Sequence, residues 1–177
     1  MAFLETIKSL FVPAFPKEQE IVEPAPPAQY LIKPLASANL KEVLRLNLRC
    51  FTAGDSYNKH TLTYLLNEPR TLSFKTVTAE NEMVAFAFVM VNPNGAGHLT
   101  TIGVAPEHRR RGVAEALLVH IENRLRSKEI GTIMLEVRTG NCGAQQLYRQ
   151  AGFHVVQRIS GYYTNGEDCY LMMKSLA

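Results

Sequence analysis

Arg109, Arg110 and Arg111 stand directly before Gly112, where the pattern of an amphipathic helix begins; the run reads EHRRRGVAEALL. Three adjacent cations repel one another unless something negative lies among them. A helix N-terminus offers unpaired backbone N–H groups and a partial positive charge. A glycine there lets a ligand approach the main chain closely. Together these are the parts of an anion site, and a phosphate is its natural guest. The bland alternative is that the arginines only solvate a loop. The spacing matches neither the phosphate-binding loop G-x-x-x-x-G-K-[ST] nor the dinucleotide fingerprint G-x-G-x-x-G.

Other chemistries find less support. Cys50, Cys142 and Cys169 lack metal-ligand spacing and any context that lowers a thiol pKa, so a covalent thiol route is not expected. Their odd number points to a reducing compartment, hence a cytoplasmic location, rather than a disulfide framework. His60, His98, His108, His120 and His154 are scattered, and no metal is implied. A net charge of +3 is too mild to argue for nucleic acid. No apolar run reaches the roughly 18 residues of a transmembrane segment.

The elements that must position the arginine loop follow from periodicity. The 177 residues, 46% hydrophobic and 20% charged, suffice for one domain with a core. Residues 1–28 read differently from the rest: Phe3, Leu4, Ile7 and Phe11 share a face of a short helix, and a proline- and glutamate-rich stretch predicts an extended linker. The helix lacks the basic start of a signal peptide and reads as a docking or frayed segment; a weak membrane or partner anchor is the lesser reading. Residues 29–177 read as the domain proper. A strand at QYLIKPL precedes a helix capped by Ser37, with apolar positions Leu40, Val43, Leu44 and Leu48. A second helix, NKHTLTYLL, stops near Pro69. TLSFKTVTA and EMVAFAFVMV form a hairpin about Glu80 and Asn81. Strand HLTTIGV, the helix after Gly112 with a stripe from Ala114 to Leu125, and strand TIMLEV make a strand–helix–strand unit, with Gly131 at the helix C-terminus. NCGAQQLYRQAG is a helix closed by Gly152, and FHVVQRIS and DCYLMMKS are the last strands.

Val104-Ala-Pro-Glu-His-Arg-Arg-Arg-Gly-Val-Ala114 resembles the acetyl-CoA signature of the GNAT superfamily of N-acetyltransferases. LEVRTGNCGAQQLYRQAGF (Leu135–Phe153) and YYTNGEDCYLM (Tyr162–Met172) resemble the RimI-type ribosomal-protein alanine N-acetyltransferases. The resemblance covers roughly residues 29 to 177. It implies an α/β (α+β) fold: a central mixed, mostly antiparallel sheet with splayed parallel central strands, flanked by helices. Acetyl-CoA as cosubstrate would enter between HLTTIGV and TIMLEV. Backbone groups of Ile102, Gly103 and Val104 would pair with the pantetheine amides. The N–H groups of Arg109, Arg110, Arg111, Gly112, Val113 and Ala114 would wrap the pyrophosphate, and Asn141 would bind the pantetheine or phosphate region. The missing negative charge would then belong to the cofactor.

By the same resemblance Glu136 is the base that takes the amine proton and Tyr148 the acid that protonates the leaving thiolate. Glu136 faces the opposite way from Leu135 and Val137, and Asn141 and Tyr148, seven apart, share a helix face. Glu136 as a strand-end partner of Arg138, and Tyr148 as a core aromatic, are the structural alternatives. Tyr162 and Tyr163 resemble the aromatic pair framing the acceptor peptide, with Phe51 and Tyr57 facing it; ordinary strand-end aromatics are the alternative. RimI-like proteins often carry a Phe-Pro-Trp type stretch where this chain has Phe51-Thr-Ala-Gly-Asp-Ser-Tyr57. The implied function is direct acetyl transfer in a ternary complex to the N-terminal α-amine of a protein or peptide, a ribosomal protein among the candidates. A lysine side chain or small amine as acceptor is the alternative, and a non-catalytic acyl-CoA-binding module a third reading.

Overall fold

Residues 83–91, MVAFAFVMV, are apolar without a break, which a strand tolerates only when both of its faces are covered. The computed structural model, which describes residues 22–51 and 56–177, shows how. Seven strands form one sheet: β1 (Tyr30–Pro34), β2 (Thr71–Thr78), β3 (Met83–Val91), β4 (Gly97–Val104), β5 (Thr132–Arg138), β6 (His154–Ile159) and β7 (Cys169–Ser175). Their spatial order is β1-β2-β3-β4-β5-β7-β6, and every neighbouring pair is antiparallel except β4 and β5. Helices α1 (Leu40–Cys50) and α2 (Lys59–Asn67) cover one face; α3 (Val113–Arg126) and α4 (Cys142–Gln150) cover the other.

β3 alternates between the two cores. Phe86 and Phe88 pack with Val43, Leu46, Leu62 and Leu65 of α1 and α2. Ala85, Ala87 and Val89 face Leu117, Leu118, Ile121 and Leu125 of α3. Both phenylalanines are fully buried, so truncating either to alanine is expected to cost about 3–5 kcal/mol.

The parallel pair is brief. β4 and β5 pair only at Gly97↔Ile133 and His98↔Met134, and pairing stops there. β4 also carries a bulge: Phe88 stands opposite Thr101 and Val89 opposite Leu99, leaving Thr100 as the extra residue. The bulge and the end of pairing coincide where the two central strands separate.

Three local expectations are corrected. Ser37 does not cap α1; a single 3-10 turn, Ser37–Asn39, precedes it and is entered at Ala36, whose N–H donates to Asn39 Oδ1 at 3.2 Å. The Ser37 hydroxyl instead reaches Asn67 Oδ1 on α2 at 3.2 Å. Leu48 lies outside the buried stripe of α1, which runs through Val43, Leu46 and Asn47. Gly131 does not close α3. Glu129, at φ 58°, takes the left-handed position while Ile130 N–H returns to Leu125 O at 3.0 Å and Glu129 N–H to Arg126 O at 2.9 Å. Burial of Ile130 against Leu125 in the same core offsets the left-handed strain in a residue with a Cβ.

The short apolar helix expected within residues 1–11 lies outside the described residues. Residues 22–29 have no regular structure, in keeping with an extended linker, but they are held. Ala25 N–H donates to Glu107 O at 3.0 Å, and the Arg111 guanidinium donates to the carbonyls of Ala25 and, at 2.7 Å, Pro26.

Candidate active site

Where β4 and β5 separate, a cavity of about 660 Å³ opens. Leu99 to Val104 of β4 form one wall and Glu136, Val137 and Arg138 of β5 the other. One end reaches Arg109, Arg110 and the first residues of α3; α4 contributes Ala144, Leu147 and Tyr148. Cys50, Phe51, Tyr57 and Tyr163 also line the cavity.

The loop before α3 has the geometry of an anion cradle. Arg110 at φ 60° and Gly112 at φ 73° both take the left-handed conformation, which bends the chain sharply into α3. The first intrahelical bond of α3 runs from Ala116 N–H to Gly112 O, so the N–H groups before it have no partner within the helix. At Gly103, a Cβ would meet the Phe86 ring at 2.7 Å; glycine lets the wall of the cavity lie flat on the core.

The arginines do three different things. Arg109 lines the cavity while its guanidinium donates to Val104 O at 3.2 Å and Cys50 O at 3.1 Å, tying the end of β4 to the end of α1. Arg110 is exposed and lines the cavity. Arg111 is the one cofactor candidate outside the lining: its side chain turns to Ala25, Pro26 and, at 3.5 Å, the Tyr30 hydroxyl. Asn141 lines the cavity but is also the N-cap of α4, its Oδ1 accepting from Ala144 N–H at 3.1 Å, so its amide NH₂ is the group left to face a ligand.

Glu136 projects into the cavity from β5 and is not paired with Arg138. Its Oε2 lies 2.6 Å from His98 Nε2, and both side chains are buried. With the carboxylate ionised, the imidazole N–H donates, a charge-assisted bond. Oε1 is buried and has no hydrogen-bond partner among the described residues, an unsatisfied acceptor beside the cavity. Arg138 pairs instead with Glu167 at 2.6 Å. His98 was among the histidines judged scattered. Its partnership follows from the register, which sets His98 beside Met134, two residues before Glu136 and on the same face.

Tyr148 lines the cavity from α4, its ring tilted against Phe153 at 5.7 Å. Burial raises its hydroxyl pKa above the usual tyrosine value, so at neutral pH it carries its proton. Cys50 also lines the cavity, but burial outweighs Arg109 and Arg49 and pushes its thiol up to about 12. It is a protonated thiol, unsuited to covalent catalysis. Among the described residues, no three His, Cys, Asp or Glu side chains converge as a metal site would need.

The sequence profile of the acetyltransferase (GNAT) family matches residues 40–153. The chain belongs to that family. It is similar to an N-alpha-acetyltransferase of Saccharolobus solfataricus, 40% identical over 84 residues, covering 45% of this chain and 48% of that protein. The chain therefore spans about half the length of that archaeal relative. The [ribosomal protein bS18]-alanine N-acetyltransferase of Escherichia coli K12 is 35% identical over 106 residues, 59% of this chain and 70% of the enzyme. The crystal structure of the Escherichia coli ribosomal-protein-S18-alanine N-acetyltransferase superposes with a TM-score of 0.77 at 28% identity, covering 84% of this chain and 95% of that one.

In this GNAT chain the cavity also carries aromatic side chains. Tyr163 lines it, with the Arg138 guanidinium 3.7 Å from its ring centroid. Tyr162 lies beneath, edge-on to Tyr163 at 5.1 Å and outside the lining. Burial, and then the charge of Glu136, push its hydroxyl pKa up. Phe51 stands edge-on to Phe86, and the Tyr57 hydroxyl donates to Thr100 O at 3.0 Å. Among the described residues no helix is long and apolar enough to cross a membrane.

Proposed function

We propose that this protein transfers the acetyl group of acetyl-CoA to the N-terminal α-amine of a protein or peptide. The observation that carries the reading is a single cavity with the arginine–glycine loop at one end and Glu136 and Tyr148 along its walls. The residues present fit the cofactor. β4 runs unpaired with β5 beyond His98, so the edge of β4 that faces β5, at Ile102 and the Val104 N–H, keeps main-chain groups for the pantetheine amides, while Gly103 pairs with Phe86 of β3 and Val104 O is held by Arg109. The turn at Arg110 and Gly112 and the start of α3 supply N–H groups and positive charge for the phosphates. Bound there, acetyl-CoA supplies the thioester as acyl donor.

In this reading Glu136 takes the proton of the acceptor ammonium, directly or through a water, so that a neutral amine attacks. His98 fixes the carboxylate through Oε2. Tyr148 keeps its proton until the thiolate departs and then donates it. Phe51, Tyr57 and Tyr163 line the approach of the acceptor. The names of the two relatives described above support a protein N-terminus as acceptor, and bS18 is the acceptor named for the Escherichia coli enzyme. A polyamine would call for an acidic pocket. Among the described residues, the carboxylates lining the cavity are Glu115, beside the arginine loop, and Glu136, already paired with His98.

The test is acetylation of a peptide library varied at its first two residues, with spermidine and Nε-lysine peptides as controls. Transfer to free α-amines in preference to both controls is expected. Preference for either control would transfer the site to the alternative acceptor class.

A further inference from the structure

Asn47 lies on the buried stripe of α1 and is fully enclosed, although its neighbours there, Val43 and Leu46, are apolar. A buried amide persists only when its groups are bonded, so its partners indicate what it is for. Among the described residues, its side-chain partners are on Tyr57, and its backbone carbonyl meets Phe51. Its side-chain NH₂ donates to Tyr57 O at 2.9 Å, and its Oδ1 accepts from Tyr57 N–H at 3.2 Å. Its own backbone carbonyl accepts Phe51 N–H at 3.1 Å. One residue thus closes the base of the segment whose ends, Phe51 and Tyr57, line the cavity.

The connection continues into the sheet. The Tyr57 hydroxyl donates to the carbonyl of Thr100, the bulged residue of β4. Thr100 lies two residues past His98, the last position of β4 paired with β5. Tyr57 therefore supplies a partner to a carbonyl at the fork, where β5 has moved away.

We propose that Asn47 is a positioning residue for the acceptor: it holds the Tyr57 main chain, and with it the Tyr57 ring that lines the cavity and bonds the fork, and so places the incoming amine relative to Glu136. This rests on reading the cavity as an amine-acetylating site. It predicts an effect confined to the acceptor, because Asn47 itself touches none of the phosphate-binding loop and is not part of the cavity lining.

The experiment uses the full chain and compares wild type, Asn47→Ala, Tyr57→Phe and the double variant. Peptide KM and kcat are measured at saturating acetyl-CoA, and acetyl-CoA Kd by calorimetry. Asn47→Ala should raise peptide KM roughly tenfold, more than it lowers kcat, with acetyl-CoA Kd nearly unchanged. Tyr57→Phe should move the same quantities in the same direction. Because the bonds act in series, the double variant should be no worse than the worse single one. An unchanged peptide KM, additive effects, or a matching loss of acetyl-CoA affinity would overturn the proposal. If Asn47→Ala does not fold, Asn47→Leu decides, since it removes both bonds to the Tyr57 main chain while filling the buried space. If wild type acetylates spermidine or Nε-lysine and no α-amine, the functional reading fails, and the same variants run on that acceptor still decide the role of Asn47.

Discussion

His98 and Glu136 are 38 residues apart in sequence and 2.6 Å apart in space, on neighbouring parallel strands at the point where the strands part. The bond joins the last paired residue of β4 to the first cavity-facing carboxylate of β5. It marks the site at which main-chain pairing gives way to side-chain chemistry.

Glu136→Gln keeps the shape and a hydrogen-bonding amide but removes the carboxylate proposed as the base. Turnover should fall on the order of tens-fold or more, with acetyl-CoA Kd nearly kept. His98→Leu leaves a buried carboxylate without its partner, so a stability loss of about 1–3 kcal/mol should accompany the fall in kcat. His98→Gln restores a donor and should recover part of both. Thermal melts beside steady-state kinetics separate the two effects; wild-type turnover in Glu136→Gln would move the chemistry elsewhere.

Tyr148→Phe removes one hydroxyl from the wall of the cavity and keeps the ring against Phe153. We expect kcat to drop by on the order of tens-fold while the melting temperature holds. A drop in stability without a drop in kcat would make the residue a core aromatic.

Arg111 and Arg109 should behave differently although they are two residues apart. Arg111→Ala should leave acetyl-CoA Kd within about twofold, because its side chain serves Ala25 and Pro26 rather than the cavity. It should also make the chain near residue 25 easier to cleave in limited proteolysis. Arg109→Ala should weaken acetyl-CoA binding, since it removes a charge from the lining and the bridge between Val104 and Cys50. Equal loss of affinity in both variants would return Arg111 to the phosphate site.

Cys50 and Cys142 should differ in reactivity. With its thiol pKa at about 12, Cys50 is almost wholly protonated at pH 8, and thiolate appears only as pH rises toward that value. Cys142 is exposed. Mass spectrometry after brief iodoacetamide treatment at pH 8 should find Cys142 labelled and Cys50 untouched. Comparable labelling of both would mean that Cys50 is not shielded as described.

The order of strands and helices was legible because side-chain periodicity is local. MVAFAFVMV announces a strand covered on both faces, and Leu117, Leu118, Ile121 and Leu125 announce one face of a helix. Helix ends were less legible. Ser37 and Gly131 have the residue types that usually end helices, yet Asn39 stands at the N-cap of α1 and Glu129 takes the left-handed position after α3. Tertiary contacts, of Ser37 with Asn67 and of Ile130 with Leu125, outweigh the local preference.

The arginine–glycine loop is contiguous in the chain, so its residues and their place at the start of a helix could be read from the letters alone. So could the outward face of Glu136, which follows from alternation along one strand. The partners of these groups could not. Whether Glu136 meets His98 or Arg138 depends on the register of two parallel strands joined through a helix, and no local pattern carries that register. Arg111 turns from the cavity because two carbonyls some 85 residues earlier lie within its reach. Asn47 reads in the sequence as a polar interruption beside an apolar stripe, and only the folded chain brings it Phe51 and Tyr57. A residue's type and periodicity set what it can bond; which group is close enough to bond is decided by long-range packing.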